Sequence, residues 1–169
     1  MIRSNKILFM FVFYILLFSK SFSASDEDIY NKIDLFGEVL DKVLKEYNVE
    51  GKSFLDIGCS NGFILEKALE LGFRHIKGVE PSLDAIEKAL PNIKPFIING
   101  MFDKKKFEKE SFDMITFFQT FDHIAEPNIF LKSCFDILEN KGFILAINHN
   151  ANSLSAKILG EKSPIIDIP

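Results

Sequence analysis

Phe54-Leu55-Asp56-Ile57-Gly58-Cys59-Ser60-Asn61-Gly62 is a short apolar run that breaks into a glycine-containing turn. Ser53 to Ile57 reads as a strand, and Asn61 to Leu71 as a helix closed by Gly72. Gly58 and Gly62 allow a tight turn and let a ligand approach backbone that carries no Cβ. Such a turn alone describes any strand-to-helix connection. Glu80 makes it specific, because it ends the next predicted strand, Ile76 to Glu80, 22 residues after Gly58. In a parallel α/β sheet both carboxyl ends face one crevice, where a carboxylate can accept the two hydroxyls of a ribose. Loop and acid together describe a site for an adenosine-containing cofactor.

Working outward, strands and helices alternate. Ser82 caps a helix that Pro91 stops, and Phe96 to Asn99 is a third strand. Phe112 to Phe118 is a fourth, apolar nearly throughout, as expected when both faces of a parallel strand are covered. Pro127 opens a helix with Phe130, Cys134, Ile137 and Leu138 on one side, ending near Asn140 and Gly142. Phe143 to Ile147 is a fifth strand. Upstream, Ser25 and Asp28 form a capping box, and Ile29, Ile33, Phe36, Leu40, Val43, Leu44 and Tyr47 recur at helical spacing. The predicted fold class is α/β: a doubly wound, mostly parallel sheet with helices on both faces.

The dinucleotide fingerprint G-x-G-x-x-G would need glycines two and five residues after Gly58, where Ser60 and Phe63 stand. That disfavours a nicotinamide enzyme. The stretch instead resembles the D-x-G-x-G-x-G motif of class I S-adenosylmethionine-dependent methyltransferases, with Ser60 in place of the central glycine. The resemblance runs from Phe54 to Asn148. It takes in Val79-Glu80-Pro81-Ser82, Ser111-Phe112-Asp113-Met114-Ile115, Phe121-Asp122-His123-Ile124-Ala125-Glu126-Pro127 and Leu138-Glu139-Asn140-Lys141-Gly142-Phe143.

The resemblance implies S-adenosyl-L-methionine as cofactor and methyl transfer to a small-molecule, lipid or sugar acceptor. The alternative is a non-catalytic or membrane-tethered module of the same fold. It implies cofactor contacts from Asp56, Gly58, Cys59, Ser60, Gly62, Glu80, Pro81, Gly100, Met101 and Gln119. Asp56 and Gly58 would lie near the methionine moiety, Glu80 at the ribose, and Asn99 to Phe102 beside the adenine. Asp122 stands where the family usually has Glu. His123 is the candidate general base, since imidazole titrates near neutrality. His75 and His149 carry no comparable signal.

Composition limits the alternatives. A net charge of −4 offers no basic face for nucleic acid, and Lys104, Lys105 and Lys106 read as a solvated turn. Cys59 and Cys134 form neither a metal-spacing motif nor a disulfide framework.

Residues 1–24 stand apart from residues 25–169. Arg3 and Lys6 precede an apolar run from Ile7 to Phe18, with Ser21, Ser23 and Ala24 after it, the three regions of a signal peptide. As a helix the run would span roughly 18 Å, short of the roughly 30 Å of a bilayer core. Export conflicts with a cofactor made in the cytosol. The expectations are therefore a cytoplasmic domain, with membrane association through residues 7–18 or a misassigned start, or else export. No Asn-x-Ser/Thr sequon supports export. Family members generally add two strands after the fifth, and Ile165 to Pro169 forms no recognisable hairpin. The reading expects a domain incomplete at its C-terminus, with the fifth strand as an exposed apolar edge. Oligomeric state is not legible.

Overall fold

The computed structural model describes residues 6–11, 26–49 and 51–148, with side chains from residue 36 onward. Six strands form one sheet in the order β1-β6-β5-β2-β3-β4, every neighbouring pair parallel. They are β1 (Lys6–Phe11), β2 (Ser53–Ile57), β3 (His75–Glu80), β4 (Ile97–Asn99), β5 (Phe112–Phe118) and β6 (Leu138–Asn148). The helices are α1 (Asp26–Tyr47), α2 (Phe63–Glu70), α3 (Leu83–Glu87) and α4 (Pro127–Ile137). Five strands and four helices thus follow the predicted alternation.

Each face of the sheet buries its own core. Phe36, Leu40 and Val43 of α1 join Ile64, Leu65 and Ala68 of α2 against Phe54, Ile76 and Met114. Phe130, Cys134 and Ile137 of α4 cover Leu55, Ile115, Phe117 and Ile144 on the other side. The start of β2 is clasped to the start of β5 by Asp113. Its Oδ2 accepts from the Lys52 N–H (2.8 Å), the Ser53 N–H (3.0 Å) and the Ser53 hydroxyl (2.7 Å). Burial works against its ionisation, but these donors and the nearby Lys52 charge outweigh it and hold the carboxyl below its ordinary value.

The structure departs from the sequence reading in three places. β6 is not an exposed edge: residues 6–11, from the signal-like segment, pair with it in register from Lys6–Phe143 to Phe11–Asn148. The helix capped by Ser82 closes after five residues, well before Pro91. α4 passes into β6 with no intervening turn, Leu138 pairing with Phe112 across a register shift. Gly142 belongs to the strand, where a Cβ would stand 2.7 Å from Leu138 Cγ. Ser25, His149 and the stretch Ala151 to Pro169 lie outside the described residues.

Candidate functional site

The carboxyl ends of β2, β3, β4 and β5 open onto a cavity of about 1010 Å³. Its floor is the turn after β2. The N–H groups of Gly58 and Cys59 both donate to Val79 O, at 2.8 and 3.2 Å, so the turn is tied to β3. Gly58 has φ 76°, and a Cβ there would stand 2.3 Å from Thr120 Oγ1. Only glycine serves at this position without moving the loop after β5.

Glu80 organises the next layer. Its Oε2 accepts from the Ser60 N–H at 2.8 Å and its Oε1 from the Ser82 N–H at 2.9 Å. Ser60 itself is left-handed, with φ 50°, an unfavourable conformation for serine that this bond helps to hold. The Asn99 amide donates to Glu80 O and Pro81 O, both at 3.1 Å, and the Gly100 N–H donates to Glu80 O at 2.9 Å. The loops after β2, β3 and β4 therefore converge on one residue. Asn99 is committed to this bracing, so Gly100, Met101 and Phe102 are what that loop presents to the cavity.

Asp56 is 3% exposed yet lines the cavity. The Thr116 hydroxyl donates to its Oδ1 at 2.6 Å. Burial raises its carboxyl to about 7, with the Thr116 bond opposing the rise and the Glu80 charge adding to it. Gln119, with φ 52°, donates its N–H to Ile147 O at 2.6 Å and lines the wall after β5. The exposed His123 follows in a 3-10 turn, its N–H bonded to Thr120 O at 3.1 Å.

Asp56, Gly58, Ser60, Glu80, Pro81, Gly100, Met101, Gln119 and His123 therefore share one cavity. Two predicted contacts fall elsewhere. Cys59 turns its side chain into the core, where its Sγ would be 2.5 Å from a Cβ on Gly78, and burial pushes its thiol upward. Gly62 precedes α2 with φ 80°, its missing Cβ making room for Ile93 rather than a ligand. Asp122 is exposed and outside the lining.

Sequence reasoning missed Thr116, Phe36 and Phe63. Thr116 was findable: it is the one hydroxyl within the apolar run of β5, and a buried hydroxyl needs a partner. Phe36 and Phe63 gave only the pattern of a core face.

The family described as a methyltransferase domain matches residues 30–165. A ubiquinone biosynthesis O-methyltransferase of Glaesserella parasuis serovar 5 is 28% identical over 131 residues, 70% of this chain and 55% of that protein. A mitochondrial ubiquinone biosynthesis O-methyltransferase of Candida albicans is 29% identical over 140 residues, 76% of this chain and 41% of its own length. The chain thus spans about half the length of the curated relatives it matches. Among solved structures, the plantazolicin methyltransferase BpumL, in complex with SAH and a desmethyl-plantazolicin analogue, is 27% identical with a TM-score of 0.55. The match covers 69% of this chain and 48% of that one. The PH0226 protein of Pyrococcus horikoshii OT3 shares the fold at a TM-score of 0.60 and 24% identity, covering 80% of this chain and 62% of its own. With the family's own match running over residues 30–165, most of its length, the chain belongs to the methyltransferase-domain family.

Proposed function

We propose that this chain binds S-adenosyl-L-methionine in the cavity above β2 to β5 and serves methyl transfer to a small-molecule acceptor. The observation that carries this reading is the joint hold of Glu80 on Ser60 and Ser82. It fixes a carboxylate beside the Gly58–Ser60 turn, on the wall of the same cavity. BpumL, crystallised with SAH, and the ubiquinone O-methyltransferases support it by likeness.

When bound, the cofactor supplies an electrophilic methyl group on a cationic sulfonium. Glu80 would hold the ribose diol, Pro81, Gly100 and Met101 would flank the adenine, and Asp56, Gly58 and Gln119 would border the methionine end. Displacement at a methyl needs positioning and dryness more than covalent help. His123, exposed at the rim, can accept a proton from an acceptor and return it to solvent.

Titration calorimetry with S-adenosylmethionine, S-adenosylhomocysteine and NAD tests the assignment. The first two should bind and NAD should not; equal binding of NAD would overturn it. A second reading is a cofactor-binding module of the same fold without turnover. A turnover assay separates the two. We place the domain in the cytosol, where the cofactor is made; recovery of the chain outside the cell on fractionation would overturn this.

A further inference from the structure

Asp56 and Thr116 are register partners of β2 and β5, so their side chains leave the same face of the sheet. The row they share runs from Gly78 of β3 through Asp56 and Thr116 to Leu145 of β6. Gly78 has no side chain and Leu145 is apolar, so Thr116 is the neighbour in that row able to answer the carboxyl. Its hydroxyl donates to Asp56 Oδ1 at 2.6 Å, with Leu55 O at 3.5 Å as its other acceptor. Thr116 is fully buried and outside the cavity lining, whereas Asp56 borders the cavity. Helices α1 and α2, packed on this face, bring Phe36, Leu40, Ile64 and Leu65 to it. Their Glu38, Asp41, Glu66 and Lys67 line a separate groove between the two helices. The ionisable groups acting on Asp56 are Glu80 at the end of β3 and Cys59 in the turn, and Asp84, Lys88 and His123 share the cavity.

We propose that Thr116 is a positioning residue for the cofactor: its hydroxyl holds Asp56 beneath the turn after β2 as the counter-charge of the cationic methionine end. The proposal rests on the cofactor reading above and adds to it a residue that touches no ligand. A carboxylate this deeply buried acts by its field rather than by contact, and that field is strong where water is excluded. Burial and the Glu80 charge favour the neutral carboxyl of Asp56, and the Thr116 bond opposes them. Cys59 offers no competing charge, because burial and the two carboxylates push its thiol upward. The threonine hydroxyl suits both protonation states. With Asp56 ionised, it donates to Oδ1. With Asp56 protonated on Oδ1, the carboxyl O–H donates to Thr116 Oγ1, and the threonine proton turns to Leu55 O. The first arrangement is charge-assisted and the stronger, so Thr116 favours the ionised form. Valine would keep the shape and lose both bonds.

The test is titration calorimetry on the full chain across pH with two probes. S-adenosylmethionine carries the ammonium and the sulfonium; methylthioadenosine keeps the nucleoside and a thioether without either charge. In the parent, affinity for S-adenosylmethionine should rise through about pH 7, and that for methylthioadenosine should stay level. Thr116→Val should move the rise up by about one pH unit. At about pH 7 that leaves about a tenth of Asp56 ionised instead of half, so S-adenosylmethionine affinity falls about fivefold. Methylthioadenosine affinity should change by less than about twofold, since no charge on it answers Asp56. Thr116→Ser keeps the hydroxyl and should restore the parent curve. Thr116→Ala repeats the test should Thr116→Val fail to fold. A parent-like curve without the hydroxyl, equal losses for the two probes, or no recovery with serine would overturn the proposal while leaving the cofactor reading intact. Failure of S-adenosylmethionine to bind the parent chain would overturn the cofactor reading and this proposal together.

Discussion

Replacing Glu80 with alanine should cost more than a ribose contact. Its two oxygens accept one bond each, from Ser60 and Ser82, so each still has capacity for a ribose hydroxyl. Hydrogen bonds to a charged group are worth about 1.5–3 kcal/mol each, and alanine removes the ribose pair along with the hold on the left-handed Ser60. Since such losses do not add fully, about 3 kcal/mol of cofactor affinity is expected, roughly 150-fold in Kd. Glu80→Gln should be intermediate: it keeps the reach, but its NH2 must face one of the two backbone N–H donors. Glu80→Asp keeps the charge and cannot bridge Ser60 and Ser82 at once. Calorimetry with S-adenosylhomocysteine, beside thermal unfolding of the cofactor-free protein, separates ribose loss from loop loss. Affinity for Glu80→Ala within about threefold of the parent would refute the reasoning, since even one charge-assisted bond exceeds that.

Three further outcomes are expected. The raised carboxyl of Asp56 stays protonated in the fold while the unfolded chain ionises near 4, so this residue makes stability fall between about pH 4 and pH 7. Affinity for the cationic cofactor should rise as pH passes through about 7, and Asp56→Asn should flatten both slopes, as read by unfolding and calorimetry across pH. Asp113→Asn leaves three donors sharing one poorer acceptor, costing about 2 kcal/mol and lowering Tm by roughly 4–8 °C. Because the Asp113 carboxyl is held below its ordinary value, that advantage is present above about pH 4 and should vanish as acid protonates it. His123→Ala should cut turnover of the acceptor about 10²–10⁴-fold with cofactor affinity nearly unchanged; equal turnover would assign the proton to water.

What the sequence disclosed was mainly what single residues can decide. Gly58, Ser60 and Glu80 announce their roles because a left-handed turn and a carboxylate at a strand end leave few other uses. Ser82 was legible as a cap for the same reason, and its hydroxyl accepts from the Ala85 N–H at 3.2 Å. Less could be read where the outcome depends on distant partners. Cys59 sits in the motif by position, yet its direction is set by the space at Gly78, nineteen residues on. The α4–β6 junction was hidden because Leu138 serves equally well as a helix end or a strand start, and its pairing with Phe112 decides. Phe36, Phe63 and Phe118 look like any core aromatics until three elements bring them to one cavity wall. Ile7 to Phe11 belong to a run legible only by composition, and hydrophobicity does not distinguish a strand from a signal.

The pairing of β1 with β6 also has a timetable. Lys6 meets Phe143 and Phe11 meets Asn148, so nearly the whole described chain must be made before the first strand has its neighbour. At 5–20 residues per second, synthesis leaves Ile7 to Phe11 waiting on the order of ten seconds for that neighbour. Such long-range closure is also the slowest kind to form once the chain is complete. Throughout that interval Ile7 to Phe11 are an apolar stretch without the β6 backbone they pair with. Slowing or speeding elongation therefore lengthens or shortens that wait without changing a residue.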